Sequence, residues 1–296
     1  MLLSEKMRPK SFNEVLGNEH VVNILRNLVK TGDIPNLLFY GPPGTGKTTL
    51  AYIVSHHLLK ENFSNNFLET NASVDRGIDV IRNRIKDFAA SSPMGTKIRI
   101  LLLDEVDLLS FDAFHALRRT MEIFPQCRFI LTANHIHKVI DPIRSRCLNL
   151  PFKKIESKEL KKLIKTIPVE FEDEETIDLL IKVSENDLRY LINNLQALSS
   201  LGKRITQRDL SELFNLPLSS QIDQLISERN FTVLKEKIQE ILYNQNVSPK
   251  LIIREVLSRI RNPAQVQKLS EVDFRISMNG LPELHLLDLF LKLRRS

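Results

Sequence analysis

Cysteine is scarce in this chain. Its 296 residues hold two, Cys127 and Cys147, with no C-x-x-C spacing. That excludes a disulfide framework and points to a reducing compartment. No apolar run is long enough to span a bilayer, and the N-terminus carries no signal-peptide stretch. The expectation is a soluble intracellular protein without a membrane partner, cytoplasmic in a prokaryote and nuclear in a eukaryote. Fixed-period repeats and low-complexity tracts are missing too, which excludes solenoid and linker-like architectures. Histidine lacks clustered acidic or cysteine partners: His56 and His57 fall in a helical pattern, and His135 and His137 follow a strand end, so a metal site built on them is not expected. Cys147 reads as a small apolar residue at the start of a strand rather than a nucleophile.

What is present is an ordinary globular composition, 42% hydrophobic and 26% charged. The length suggests about two domains. A net charge of +6 permits contact with nucleic acid or another polyanion without requiring it. Up to about residue 152 strand-like runs alternate with helical patterns. The runs are Leu37–Tyr40, Phe67–Asn71, Ile98–Leu103, Phe129–Thr132 and Cys147–Leu150; the helical patterns lie near 47–60, 77–90, 111–124 and 137–145. Such alternation predicts an α/β fold with a parallel sheet covered on both faces, Ile100–Leu103 forming a central strand. After Pro151 no convincing strand follows. Helices are expected over Ser157–Ile167 and Asp173–Ser184, then after an Asp187 cap, around Leu234–Leu242, from Ser248-Pro249, and over Pro282–Leu293.

The stretch Gly41-Pro42-Pro43-Gly44-Thr45-Gly46-Lys47-Thr48 fits the pattern G-x-x-x-x-G-K-[ST] between a strand and a helix. Glycines allow the backbone to wrap phosphates, and N–H groups at a helix N-terminus offer them partial positive charge. Lys47 is expected to reach the β/γ-phosphates of ATP and Thr48 to ligate Mg²⁺, with Thr49 joining the nucleotide-binding set. Asp104-Glu105 ends an apolar run, where Asp104 is the candidate for Mg²⁺ and Glu105 for the base that orients the attacking water. Taken alone, such a pair is equally a solvated loop. Asn134 closes the next strand and could contact both the γ-phosphate and that water, although Asn also favours plain turns. Arg146 sits where it could reach a neighbouring subunit's γ-phosphate, the plain alternative being a surface salt bridge. Arg189 follows the Asp187 cap in the first helical turn, where a cation is mildly disfavoured by the helix dipole and a phosphate partner fits better. Arg82 and Lys86 are spaced i, i+4 on one helix face, with Arg76 and Arg84 nearby. They would contact phosphates rather than bases, unless this is only a solvated basic face.

These motifs together resemble the AAA+ ATPases and, within them, the replication factor C small-subunit family of sliding-clamp loaders, over essentially the whole chain. Glu5-Lys6-Met7-Arg8-Pro9 is similar to the family's N-terminal box near the adenine, with Met7 where tyrosine is usual, and implies nucleotide contact by Arg8 and Pro9. Asn71-Ala72-Ser73, Asp104-Glu105-Val106-Asp107, Leu117-Arg118-Arg119-Thr120-Met121-Glu122 and Ser145-Arg146-Cys147 carry the resemblance further, and Asn186-Asp187-Leu188-Arg189 resembles the second sensor motif with Asn in place of Gly. The resemblance implies that Arg146 is a trans-acting arginine finger. It also implies a nucleotide-binding core over residues 1–152, a helical lid over 153–215 and an all-helical collar over 216–296. The basic helix would track primer–template DNA without sequence specificity. Leu108, Leu109, Phe111 and Phe114 are candidates for meeting the clamp, with Phe114 and Leu117 better read as core.

The function implied is an ATP- and Mg²⁺-dependent ATPase subunit that helps open a sliding clamp and load it during replication, in a pentameric ring with a large subunit and copies of itself. Two other readings stand beside it: another AAA+ motor acting on DNA, of the helicase-loader or branch-migration type, and a scaffold that only donates Arg146.

Overall fold

The computed structural model describes residues 3–74, 81–214, 219–260, 262–278 and 280–293. The chain divides into two compact units, one formed by Met1–Val169 with Ser184–Gly202, the other by Glu170–Val183 with Lys203–Ser296.

The first unit is built on strands β1 (Leu37–Tyr40), β2 (Phe67–Asn71), β3 (Arg99–Asp104), β4 (Cys127–Ala133) and β5 (Leu148–Pro151), all parallel, in the order β2-β3-β4-β1-β5. Successive strand residues point to opposite faces, and the core follows that alternation. Leu101, Leu103, Phe129 and Leu131 pack with Phe114 and Leu117 of the helix Phe111–Ile123. Ile100, Leu102 and Ile130 pack instead with Val22 and Leu25 of the helix Glu19–Lys30 and with Leu50 and Val54 of the helix Lys47–Leu59. Both faces are therefore dry, which is why β3 could be an unbroken apolar run. Phe114 and Leu117 lie in the core, as does Leu109, whereas Phe111 is 69% exposed.

The loops after β1, β3 and β4 leave three adjacent strands at their carboxyl ends. In an open parallel sheet that edge is where ligands bind. The unit also holds the helices Ser157–Ile164 and Leu188–Ser199, the second capped by Asp187, whose side chain accepts the Tyr190 N–H at 3.1 Å.

The second unit is helical among its described residues, apart from a single parallel bridge between Phe171 and Ile205. Its helices are Glu174–Val183, Gln207–Leu213, Ser219–Ser227, Phe231–Gln239, Pro249–Leu257, Pro263–Ser277 and Pro282–Leu293. Ile238, Ile252, Val256, Leu286 and Phe290 form its core with their neighbours. Helix starts are written locally: Thr206 and Asp209 bond reciprocally as a capping box, and Asn230 and Asn262 cap the helices that follow them. The stretch 153–215, expected as a lid, supplies helices to both units. No helix among the described residues is long and apolar enough to cross a membrane.

Candidate functional site

The loop after β1 turns through positive backbone angles that glycine alone adopts without strain: φ is 143° at Gly41 and 68° at Gly44. Space enforces the same choice. A Cβ at Gly41 would lie 2.1 Å from the Phe152 carbonyl oxygen, and one at Gly44 would lie 2.0 Å from Asp187 Oδ1. The helix opening at Lys47 therefore starts immediately after a tightly folded loop, with its N-terminal N–H groups at the site.

Lys47 is the centre of the arrangement. Its side chain is buried, and Nζ donates to the carbonyls of Gly41 and Pro42 at 2.7 and 2.8 Å and to Asn134 Oδ1 at 3.0 Å. Burial pulls the ammonium pKa down to about 8, against the favourable charges of Asp104 and Asp107. Neutral acceptors satisfy its hydrogen bonds without supplying an opposite charge. An anion arriving here would supply it.

Around Lys47, Thr48 Oγ1 donates to Asp104 Oδ1 at 3.1 Å, and the same carboxylate oxygen accepts from Thr132 Oγ1. Thr132 also accepts the Glu105 N–H at 3.1 Å, so one buried hydroxyl fixes both acidic residues. Glu105 stands at φ 58°, a left-handed conformation uncommon for a residue with a side chain. Asp107, itself buried, accepts the N–H groups of Asn134 at 3.2 Å and His135 at 3.0 Å, which fixes the turn that presents Asn134.

The expected residues Pro43, Gly44, Thr45, Gly46, Lys47, Thr48, Thr49, Asp104, Glu105, Asn134 and Arg189 line one cavity of about 130 Å³, to which Thr132 and Leu188 also contribute. Gly41 and Pro42 take part through their carbonyls. Thr48 and Asp104 together offer hard oxygen donors suited to Mg²⁺, an ion that usually takes one or two carboxylates and completes its shell with phosphates and water. No cluster of three or more His, Cys, Asp or Glu among the described residues makes a self-sufficient metal cage.

Other expected residues fall elsewhere. Arg8 and Pro9 do not line the cavity; the Arg8 guanidinium lies over the Tyr52 ring at 4.6 Å from its centroid, and the Tyr52 hydroxyl bonds Glu69. Arg146 does not line it either, and is paired with Glu122. Arg84 and Lys86 are exposed, and Lys86 lines a wide groove of about 1020 Å³ with Asn83, His115 and Arg119. Arg76 lies outside the described residues, as does the Arg82 side chain. Both cysteine thiols are pushed up to about 12 by burial, which suits structural residues rather than nucleophiles. His56 stacks on Phe63, and His57 bonds the Ile53 carbonyl, so both are occupied in packing.

Thr132 and Asp107 are the site residues that sequence reasoning missed. Thr132 follows the apolar run Phe129–Leu131 two positions before Asn134, and a buried hydroxyl there was the available signal.

Residues 37–155 match the family model described as ATPase family associated with various cellular activities (AAA). The chain is 38% identical to replication factor C small subunit 1 of Pyrobaculum islandicum, covering 95% of this chain and 91% of that protein. It is also 38% identical to the replication factor C small subunit of Archaeoglobus fulgidus, over 97% of this chain and 95% of that one. Among solved structures it is similar to the Thermotoga maritima RuvB Holliday junction branch migration motor. The TM-score is 0.57 and the identity 22%, over 87% of this chain and 93% of that one, a likeness of fold.

Proposed function

This chain belongs to the replication factor C small-subunit family of the AAA ATPases, and from that membership we propose that it is an Mg²⁺-dependent ATPase subunit of a clamp loader, hydrolysing ATP to place a sliding clamp on primer–template DNA. The observation that carries the reading is the convergence of Lys47, Thr48, Asp104, Asn134 and Arg189 on one small polar cavity at the strand ends.

Lys47 exchanges its carbonyl partners for the β- and γ-phosphates, and the N–H groups at the start of its helix bind the remaining phosphate oxygens. Thr48 and Asp104 hold the cation, which when bound would neutralise charge developing on the phosphates. Glu105 orients the attacking water and Asn134 holds it against the γ-phosphate. Arg189 reports the phosphate state to the helix that carries it. Arg146 acts on the ATP of an adjacent copy, so that hydrolysis depends on the interface between subunits. Trans-acting arginines of this kind raise hydrolysis by roughly 10³–10⁵ in phosphate-loop enzymes.

The partners in this reading are a large subunit, further copies of this chain in a pentameric ring, a sliding clamp, and DNA held through its phosphates by the helix carrying Arg84 and Lys86. Residues 153–215 act as the lid, with Arg8 and Pro9 near the adenine, and 216–296 as the collar.

The test is steady-state ATP hydrolysis by the chain assembled with its large partner, with and without clamp and primed DNA. Stimulation by both together supports clamp loading. Turnover indifferent to clamp points to another AAA+ motor. Turnover unchanged by Glu105→Gln would mean that this subunit's own site is not used.

A further inference from the structure

Glu122 and Arg146 are far apart in sequence and meet on one exposed face of the first unit. Glu122 lies in the last turn of the helix Phe111–Ile123, and Arg146 in the turn that enters β5. The Arg146 guanidinium is held at both ends, Nη1 donating to the Pro142 carbonyl at 2.7 Å and Nη2 donating to Glu122 Oε1. That same Oε1 accepts from Arg118 Nε at 3.1 Å, one helical turn earlier. Arg146 is 31% exposed and Glu122 39%, so the cluster faces solvent. Exposed ion pairs stabilise a fold very little, and stability is a poor reason for two arginines to share one carboxylate oxygen. The pair does immobilise a long side chain whose free rotamers would otherwise have to be frozen when it meets its target.

Resting on the reading of Arg146 as the arginine supplied to an adjacent copy's ATP, we infer that Glu122 is a positioning residue: with the Pro142 carbonyl it fixes the plane and reach of the Arg146 guanidinium before the subunits close. Two of the five N–H donors are committed to these partners, and the others remain for a phosphate. Arg118 holds the carboxylate from its own helix. Its hydrogen bond, with the added charge of Arg146, keeps the Glu122 carboxyl below the usual carboxylate range. Arg118 shares the Glu122 carboxylate, so its charge stays balanced while Arg146 keeps both bonds and presents its remaining donors to a phosphate. Charge developing on the transferred phosphate is stabilised best by a cation already in place, which is what a preformed arginine supplies.

The experiment measures kcat and KM for ATP in the complete assembly, comparing wild type with Arg146→Ala, Glu122→Ala, Glu122→Gln and the Glu122→Ala/Arg146→Ala double variant. Glu122→Ala is expected to lower kcat about tenfold to a hundredfold through misplacement of the arginine. KM for ATP should stay within about twofold, because the affected contact acts on the transition state of the neighbouring site. Glu122→Gln should recover part of the rate, since its Oε1 still accepts while losing the charge. The double variant should be no slower than Arg146→Ala alone, because Glu122 acts only through Arg146. A full-speed Glu122→Ala beside a slow Arg146→Ala overturns the positioning role and leaves the arginine reading intact. A double variant slower than Arg146→Ala also overturns it. If Arg146→Ala itself runs at full speed, the arginine reading fails and the positioning role falls with it. Thermal midpoints unchanged in all four variants establish that folding is not what the assay reads.

Discussion

Lys47 Nζ donates to Asn134 Oδ1 at 3.0 Å, so the phosphate loop after β1 and the end of β4 are tied together through one buried ammonium. On the proposed reading of Lys47, the Asn134 oxygen occupies a bond that a phosphate oxygen can take. In that reading, a phosphate arriving at Lys47 changes the partners of both residues together, Lys47 at the start of its helix and Asn134 after β4.

The depressed pKa of Lys47, about 8, predicts proton uptake on nucleotide binding. A polyanion favours the charged amine and raises its pKa, so above pH 8 binding takes up protons and affinity falls as the pH rises. Calorimetry at pH 8.5 in buffers of different ionisation enthalpy should show uptake that vanishes in Lys47→Met. For the folded chain alone the sign is opposite to that of a paired lysine. The unfolded side chain holds its proton up to its ordinary value of 10.5, so Lys47 destabilises the fold at pH below 8, and this cost is relieved as pH rises from 8 toward 10.5.

Thr132 predicts a coupled loss of stability and rate. Its hydroxyl serves the Asp104 carboxylate and the Glu105 N–H together. Thr132→Val keeps the shape and leaves that N–H without its acceptor, at a cost of about 1–3 kcal/mol. Chemical denaturation should register the loss and ATP hydrolysis should fall with it, while Thr132→Ser stays near wild type in both. A Val variant with unchanged stability and turnover would show that the shared hydroxyl organises nothing.

Much of this arrangement was legible because local chemistry decides it. Both bounds of β1 and β2 were readable from short β-forming runs, and the phosphate loop is specified by Gly41 and Gly44, whose φ and clearance no other residue meets. Contacts made over long separations were harder to read. The helix Glu19–Lys30 is absent from the sequence reading, although Val21, Val22 and Leu25 mark its buried face. Its preceding Asn18 makes no side-chain cap bond, because that side chain is spent on both the N–H and the carbonyl of Lys153. Asp107 was read only as part of an acidic motif, and its partners, the N–H groups of Asn134 and His135, lie in the loop after another strand. Glu122 carried no local sign at all of its bond to Arg146.

Gly44 predicts that the loop tolerates no Cβ at this point. Gly44→Ala must adopt φ 68° and displace Asp187, whose Oδ1 would stand 2.0 Å from the new carbon. The left-handed conformation alone costs about 1–3 kcal/mol, and moving Asp187 also threatens the cap that it gives the Tyr190 N–H. Nucleotide affinity should fall more than thermal stability, since the loop rather than the core is deformed. Equilibrium binding beside a melting curve separates the two. Asp187→Ala clears the space and should restore part of the affinity of Gly44→Ala. If it restores none, the clash is not what the alanine disrupts.

Arg84 and Lys86 carry the last prediction, which concerns salt rather than affinity at one condition. Each phosphate contact releases condensed counterions, so the logarithm of DNA affinity falls against the logarithm of salt with a slope of about 0.9 per contact on duplex. Arg84→Ala and Lys86→Ala should therefore each make that slope shallower by roughly one in the assembled protein, and should weaken binding equally on unrelated sequences, because phosphates carry no base information. Arg208 gives the internal control, being an exposed arginine that pairs with Glu212 on a helix of the second unit. A general loss of positive charge would move the slope for Arg208→Ala as well. If the slope responds to Arg84 and Lys86 and not to Arg208, the phosphate contacts belong to this helix. If no variant moves it, the basic face is solvated and DNA is held elsewhere.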